Sequence, residues 1–110
     1  LGRCGARGGC SSVVYWAPRF ILPLWAEVES KHWAAVDAGC KKLDELFAFL
    51  FKQWGDRGLT DTGYDRLGGV GGGVLKTNLT GRAPYPSATA EDVRIYREWC
   101  RRHFPEMLEG

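Results

Sequence analysis

WAEVESKHWAAVDAGCKKLDELFAFLFKQW, residues 25–54, places apolar side chains at Trp25, Val28, Val36, Cys40, Leu43, Phe47, Leu50, Phe51 and Trp54, with His32 in the same row. The steps are three and four residues with one adjacent pair, which is the repeat of one helix face. The spacing predicts a long helix over 24–54. Glu27 with Lys31, and Asp37 with Lys41, stand four apart in the favourable order, each pair contributing about 0.2–0.5 kcal/mol. Gly55, directly after Trp54, supplies a left-handed stop. Gly39 is the weak point, since Gly costs roughly 1 kcal/mol relative to Ala inside a helix. With Ala35 one turn earlier it makes a shallow patch open to another backbone. A break near Gly39, giving two shorter helices, is the alternative.

Upstream of this helix the charge is one-sided. Residues 1–26 hold Arg3, Arg7 and Arg19 and no acid, although the whole chain carries only +2. So small a net charge excludes a nucleic-acid binder on electrostatic grounds. An acid-free leader with Arg and Ser resembles the tail of an organelle transit peptide. A plain basic arm is the alternative. The chain starts at Leu1 and not at Met, so it reads as processed, truncated or taken from an incomplete sequence. The apolar run VVYWAPRFILPLW, residues 13–25, is too short and too interrupted to span a bilayer, which takes about 20 apolar residues. Pro18 and Pro23 push Ala17 and Leu22 toward extended geometry. Residues 1–23 are therefore read as an extended basic and apolar arm.

Downstream, 55–88 is read as mostly irregular, with one short helical turn over Thr60 to Leu67 using Tyr64 and Leu67. LGGVGGGV, residues 67–74, has too many glycines for a good helix or strand, and Pro84 and Pro86 keep the following chain extended. More than thirty residues with so little structure imply disorder or moulding onto another surface. A second helix is predicted over 89–104. Thr89 caps it, Glu91 and Asp92 occupy its first turn, and Arg101, Arg102 and His103 its last, an order that complements the helix dipole. Pro105 ends it. Its apolar side is Val93, Tyr96, Trp99, Cys100 and Phe104.

The chemistry-bearing residues form no catalytic pattern. No serine sits in a nucleophile setting. The glycine run fails the phosphate-loop spacing, because Lys76 falls two positions late, and it fails the dinucleotide fingerprint too. Asn78-Leu79-Thr80 is a glycosylation sequon that acts only in a secreted chain. His32 lies three residues after Glu29, half of a di-metal motif with no second half in the chain. No metal site is therefore assigned, and His32 is kept as a weak pigment or haem ligand candidate beside the default of a structural histidine. Of four cysteines, Cys40 and Cys100 both fall on apolar helix faces. They could meet and bond if the helices pack antiparallel; two buried free thiols are the default reading. Cys4 and Cys10 lie in a flexible stretch, and no CxxC occurs.

The expected fold is all-α: a long helix and a shorter antiparallel helix joined by the Gly/Pro-rich segment 55–88, with the arm 1–23 outside a small helical domain over 24–110. Two helices bury one seam, so the core is expected to be marginal without partners. The expected function is a non-enzymatic accessory subunit docking onto a larger organellar complex, photosynthetic or respiratory, in a chloroplast or mitochondrion and peripheral to a membrane. Trp16, Phe20, Trp25, Gly71, Gly72 and Tyr85 are the expected interface residues. Partners would be other protein subunits, with peripheral membrane contact and no nucleic acid. No cofactor is assigned beyond the pigment candidate at His32. The alternative is a secreted, disulfide-stapled helical ligand or effector.

Overall fold

The computed structural model describes residues 2–108, and these are all-α: α1 Val13–Trp16, α2 Pro18–Glu29, α3 Trp33–Trp54, α4 Asp61–Gly72 and α5 Ala90–His103. Short 3-10 turns occupy Gly2–Cys4, Gly55–Arg57 and Pro105–Met107.

The arm expected to be extended is helical instead. Ser11 Oγ accepts the Val13 N–H at 3.2 Å and starts α1. Ala17 is the one residue there held out of helical geometry, at φ −153°, as the residue before a proline should be. Pro18 then sits in the first turn of α2, where a missing N–H costs nothing. Pro23 lies inside α2 and removes one backbone bond. Packing offsets that loss. Phe20 meets Phe104 edge-on with centroids 4.8 Å apart, and Leu24 lies on Gly39, where a Cβ would come within 2.6 Å of the Leu24 Cδ1. Gly39 is therefore not a helix break. It is the saddle on which α2 crosses α3.

The break in the predicted helix 24–54 lies earlier. Ser30 donates to the Ala26 carbonyl and His32 to that of Glu27. Lys31 takes φ +60°, the left-handed region in which L-residues are strained. The chain reverses there, so α2 and α3 form an antiparallel helix hairpin.

The segment 55–88 is only partly irregular. Its glycine run is helical as α4, capped by Thr60, whose hydroxyl accepts from Gly63 N at 3.3 Å. Gly73, at φ +90°, closes the helix through bonds from its N–H to the Gly69 and Val70 carbonyls. Intrinsic propensity argues against this helix, so tertiary packing must supply its stability. Gly68 lies under the Trp16 ring, Gly71 under Tyr96, and Gly72 against the Trp16 carbonyl oxygen. Arg97 on α5 donates to the Gly71 carbonyl at 2.8 Å.

The second predicted helix stands as α5. Thr89 and Asp92 form a reciprocal capping box. α5 runs antiparallel to α3: Asp92 meets Trp54, Trp99 stacks on Phe49 at 4.6 Å, and Glu106 beyond its end meets Lys42. The core lies between α1, α3, α4 and α5 and includes Val13, Trp16, Leu46, Leu50, Trp54, Leu67, Tyr96, Cys100, Phe104 and Met107. It exceeds the single seam expected of two helices. α1 and α4, read from sequence as extended arm and as mostly irregular chain, supply the difference.

Candidate functional site

One helix is left out of that core. α2 has the sequence PRFILPLWAEVE, yet none of its residues is fully buried. Ile21, Leu22, Leu24, Trp25 and Val28 border a groove of about 350 Å³, closed on other sides by Val14 of α1, by Val36 and Cys40 of α3, and by Gly8, Gly9, Cys10 and Ser11 of the N-terminal segment. Leu22 is 61% exposed and Val14 44%. Ile21, Leu24, Trp25 and Val28 follow helical spacing, so they share one side of α2. The wall is built by the hairpin: Leu24 seats on Gly39, which holds α2 against the first turns of α3.

The N-terminal segment is tied across the groove. Arg3 pairs with Asp37 at 2.6 Å, and its guanidinium lies 5.4 Å from the Trp33 ring centroid. At its other end Val13 is fully buried. Gly8 and Gly9 stand in open space.

The expected interface residues separate on this structure. Trp25 borders the groove. Phe20 is partly buried against Phe104, on the core side of α2. Trp16 is not a surface anchor: it is 2% exposed, with its ring 5.8 Å from Phe47. Gly71 and Gly72 are not docking backbone either, since Tyr96 and the Trp16 carbonyl already cover them. Tyr85 is exposed, but it borders a different cavity of about 380 Å³ with Thr60, Arg66, Arg82 and Ser87. Val14, Leu22 and Val28 were missed as groove residues. Val28 already stood on the predicted helix face; Leu22 lacked a signal because Pro23 argues for extended chain there, and Val14 because Pro18 does the same for the stretch before it.

The Cys40–Cys100 bond that the sequence left open is absent; both thiols are free, though Cys100 alone is buried. The helices are antiparallel as expected, but the register is wrong for a bond. With Trp54 opposite Asp92 and Lys42 opposite Glu106, Cys100 faces the level of Leu46 to Leu50, about two turns from Cys40. Cys40 also points about 120° away from Leu46 around the helix. Cys100 is fully buried, and burial pushes its thiol up to about 12. Cys4, Cys10 and Cys40 are exposed.

His32 sits in the α2–α3 turn. Its Nδ1 is 2.7 Å from Glu27 Oε2, not from Glu29, and its side chain is 69% exposed. It does not border the groove. Among the described residues no group of three or more His, Cys, Asp or Glu side chains is placed to hold a metal. No helix among them is long and apolar enough to cross a membrane.

The buried polar centre is structural. Asp92, 5% exposed, accepts from Trp54 Nε1 at 2.9 Å, from Arg57 NH1 at 2.6 and 2.7 Å and from Thr89 N at 2.8 Å. Burial alone would raise its pKa. The donors from Arg57, Thr89 and Trp54 outweigh it and hold the carboxyl below the usual range.

Fold and groove together define a small all-α protein with its own core and a half-covered apolar helix, α2, on which Leu22 is the large apolar side chain left exposed. Comparison with protein-family models, with curated proteins and with solved structures finds no match.

Proposed function

We propose that the protein is a non-enzymatic accessory subunit that docks onto a larger assembly through the α1–α2–α3 groove. The occupant is an apolar helix face of a partner subunit, laid in as spaced anchors. One observation carries this: α2 is an apolar helix with no fully buried residue, in a chain that buries Trp16 and Trp54 completely enough to show it can build a core. Burial of apolar surface contributes about 25 cal/mol per Å², so an uncovered helix face is a standing cost that a partner removes. Such exposed patches mark interaction sites.

The assembly is placed in an organelle, chloroplast or mitochondrion, peripheral to a photosynthetic or respiratory membrane complex. Support comes from Arg3, Arg7 and Arg19 without any acid in residues 1–26, and from the aromatic residues Tyr15, Trp16 and Trp25 in the same stretch. A secreted, disulfide-stapled ligand is less well supported, because the staple expected between Cys40 and Cys100 is absent.

A photo-crosslinking amino acid tests the docking face directly. Leu22→p-benzoyl-phenylalanine, in the native host, should yield adducts with one dominant partner chain. The same substitution at Arg101, exposed on α5, should not. Equal labelling from both positions, or none from either, contradicts the proposal.

A further inference from the structure

Two exposed thiols share the groove. Cys40 stands on α3 and Cys10 on the N-terminal segment, and both border the same 350 Å³ space. They differ in freedom. Cys40 is fixed within a 22-residue helix. Cys10 lies in residues 6–11, which form no helix or turn, beside Gly8 and Gly9, where an added Cβ would meet no neighbour. The segment is nevertheless tethered at both ends, by Arg3 on Asp37 and by buried Val13. Asp37 lies three residues before Cys40 on the same helix, so the tether holds the strap beside the Cys40 turn. Cys100 is removed from any exchange by its complete burial.

We propose that Cys10 and Cys40 are a reversible disulfide pair that pins residues 4–12 onto α3 and narrows the groove. A low-molecular-weight disulfide such as glutathione disulfide is the oxidant. One protein thiolate attacks it, releasing one glutathione thiolate and leaving a mixed disulfide. The second protein thiolate attacks that bond at the protein sulfur and releases the other. Two protein thiols lose two protons and two electrons; one small disulfide becomes two thiols. The two thiols are free as they stand, so the bond requires the irregular segment carrying Cys10 to move across the groove that both residues border. Only its consequence for docking rests on the function proposed above.

The test uses the full chain equilibrated with glutathione disulfide, alkylated and digested with trypsin without reductant. Trypsin puts the cysteines in four separate peptides, 4–7, 8–19, 32–41 and 98–101. The expected product is the 8–19 peptide linked to 32–41. It should disappear with dithiothreitol, be absent from Cys40→Ser and persist in Cys4→Ser. Dominant linkage through Cys4, or glutathione adducts on Cys10 and Cys40 that do not resolve, overturns the proposal. Narrowing is read separately by the apolar dye 1-anilinonaphthalene-8-sulfonate. Its fluorescence should fall severalfold on oxidation of the wild type and not of Cys40→Ser. A formed bond with unchanged dye binding overturns the narrowing. A failed bond alongside successful crosslinking from position 22 sinks the switch and leaves docking standing.

Discussion

Asp92 is where single-residue chemistry holds the fold. It ties the end of α3, through the Trp54 indole, and the following 3-10 turn, through Arg57, to the first turn of α5. Asp92→Ala leaves the buried Trp54 indole N–H without an acceptor, takes the helix-capping partner from the Thr89 N–H, and strands Arg57. Urea unfolding at pH 7 should show a loss of about 3 kcal/mol. Arg57 is 39% exposed at its side chain, so Arg57→Ala should cost less, about 1 kcal/mol. The pH dependence has a definite sign. The folded-state pKa of Asp92 is depressed below the unfolded value of about 3.9. Its stabilising contribution is complete above that unfolded value and is lost as pH falls through the folded one. Wild type should therefore lose stability below about pH 4 more steeply than Asp92→Asn. Parallel pH profiles for the two proteins would contradict this placement of the carboxyl.

At the level of elements, α4 is the clearest test of packing against propensity. Each glycine in it costs about 1 kcal/mol as helix, so the helix exists because close approach needs the missing side chains. The contacts rank the substitutions. At Gly72 a Cβ meets the Trp16 carbonyl, which is backbone and cannot move aside; at Gly68 it meets the Trp16 ring; at Gly69 it meets Cδ1 and Cγ of Leu75, a single aliphatic side chain that must re-seat from its Cγ outward. Gly72→Ala and Gly68→Ala should each destabilise by about 1–3 kcal/mol. Gly69→Ala should be near neutral, its gain in helix propensity offsetting the shift of Leu75. Thermal melts of the three variants check the order, and a Gly72→Ala protein as stable as wild type would contradict it.

The same contrast explains what could be read from sequence. α5 was legible because its cap, its charge order and its terminating Pro105 all agree with its apolar spacing. The end of α3 near Trp54 was legible in position but not in mechanism: Gly55 is not the left-handed stop expected but stays right-handed at φ −56° and leads into a 3-10 turn, and the left-handed residue is Gly58, at φ +67°. α4 was not, because local chemistry and tertiary contact point in opposite directions there, and the contacting residue, Trp16, lies fifty positions away. α2 was hidden by its own prolines, whose local penalty is real but confined to Ala17 and to one lost bond. The chain reversal at Lys31 carries no signal, since nothing in its side chain favours φ +60°. The groove was visible only through Trp25. Its other walls depend on α2 being helical and on Leu24 finding Gly39.

For the molecule as a whole, the proposed docking role rests on the balance of covered and uncovered apolar surface. Four helices share one core, and α2 lies on its outside. This core of Trp16, Trp54, Tyr96 and Phe104 is larger than two helices would provide, so the isolated chain should fold. It should melt cooperatively, with the slowest hydrogen exchange in α3, α4 and α5 and faster exchange in α2, none of whose residues is fully buried. Uniform protection across α2 and α3 in the isolated protein would mean that the hairpin needs no partner. Leu22→Glu places a charge on the exposed face without entering the core, so it should leave that melt unchanged while preventing docking.

Size-exclusion of a native extract, comparing wild type with Leu22→Glu at equal expression, addresses docking most directly. Wild type should elute with a much larger assembly, and Leu22→Glu as a folded monomer. Monomeric elution of both proteins, or unchanged heavy elution of Leu22→Glu, would show that the α2 face is not where this protein meets its partner.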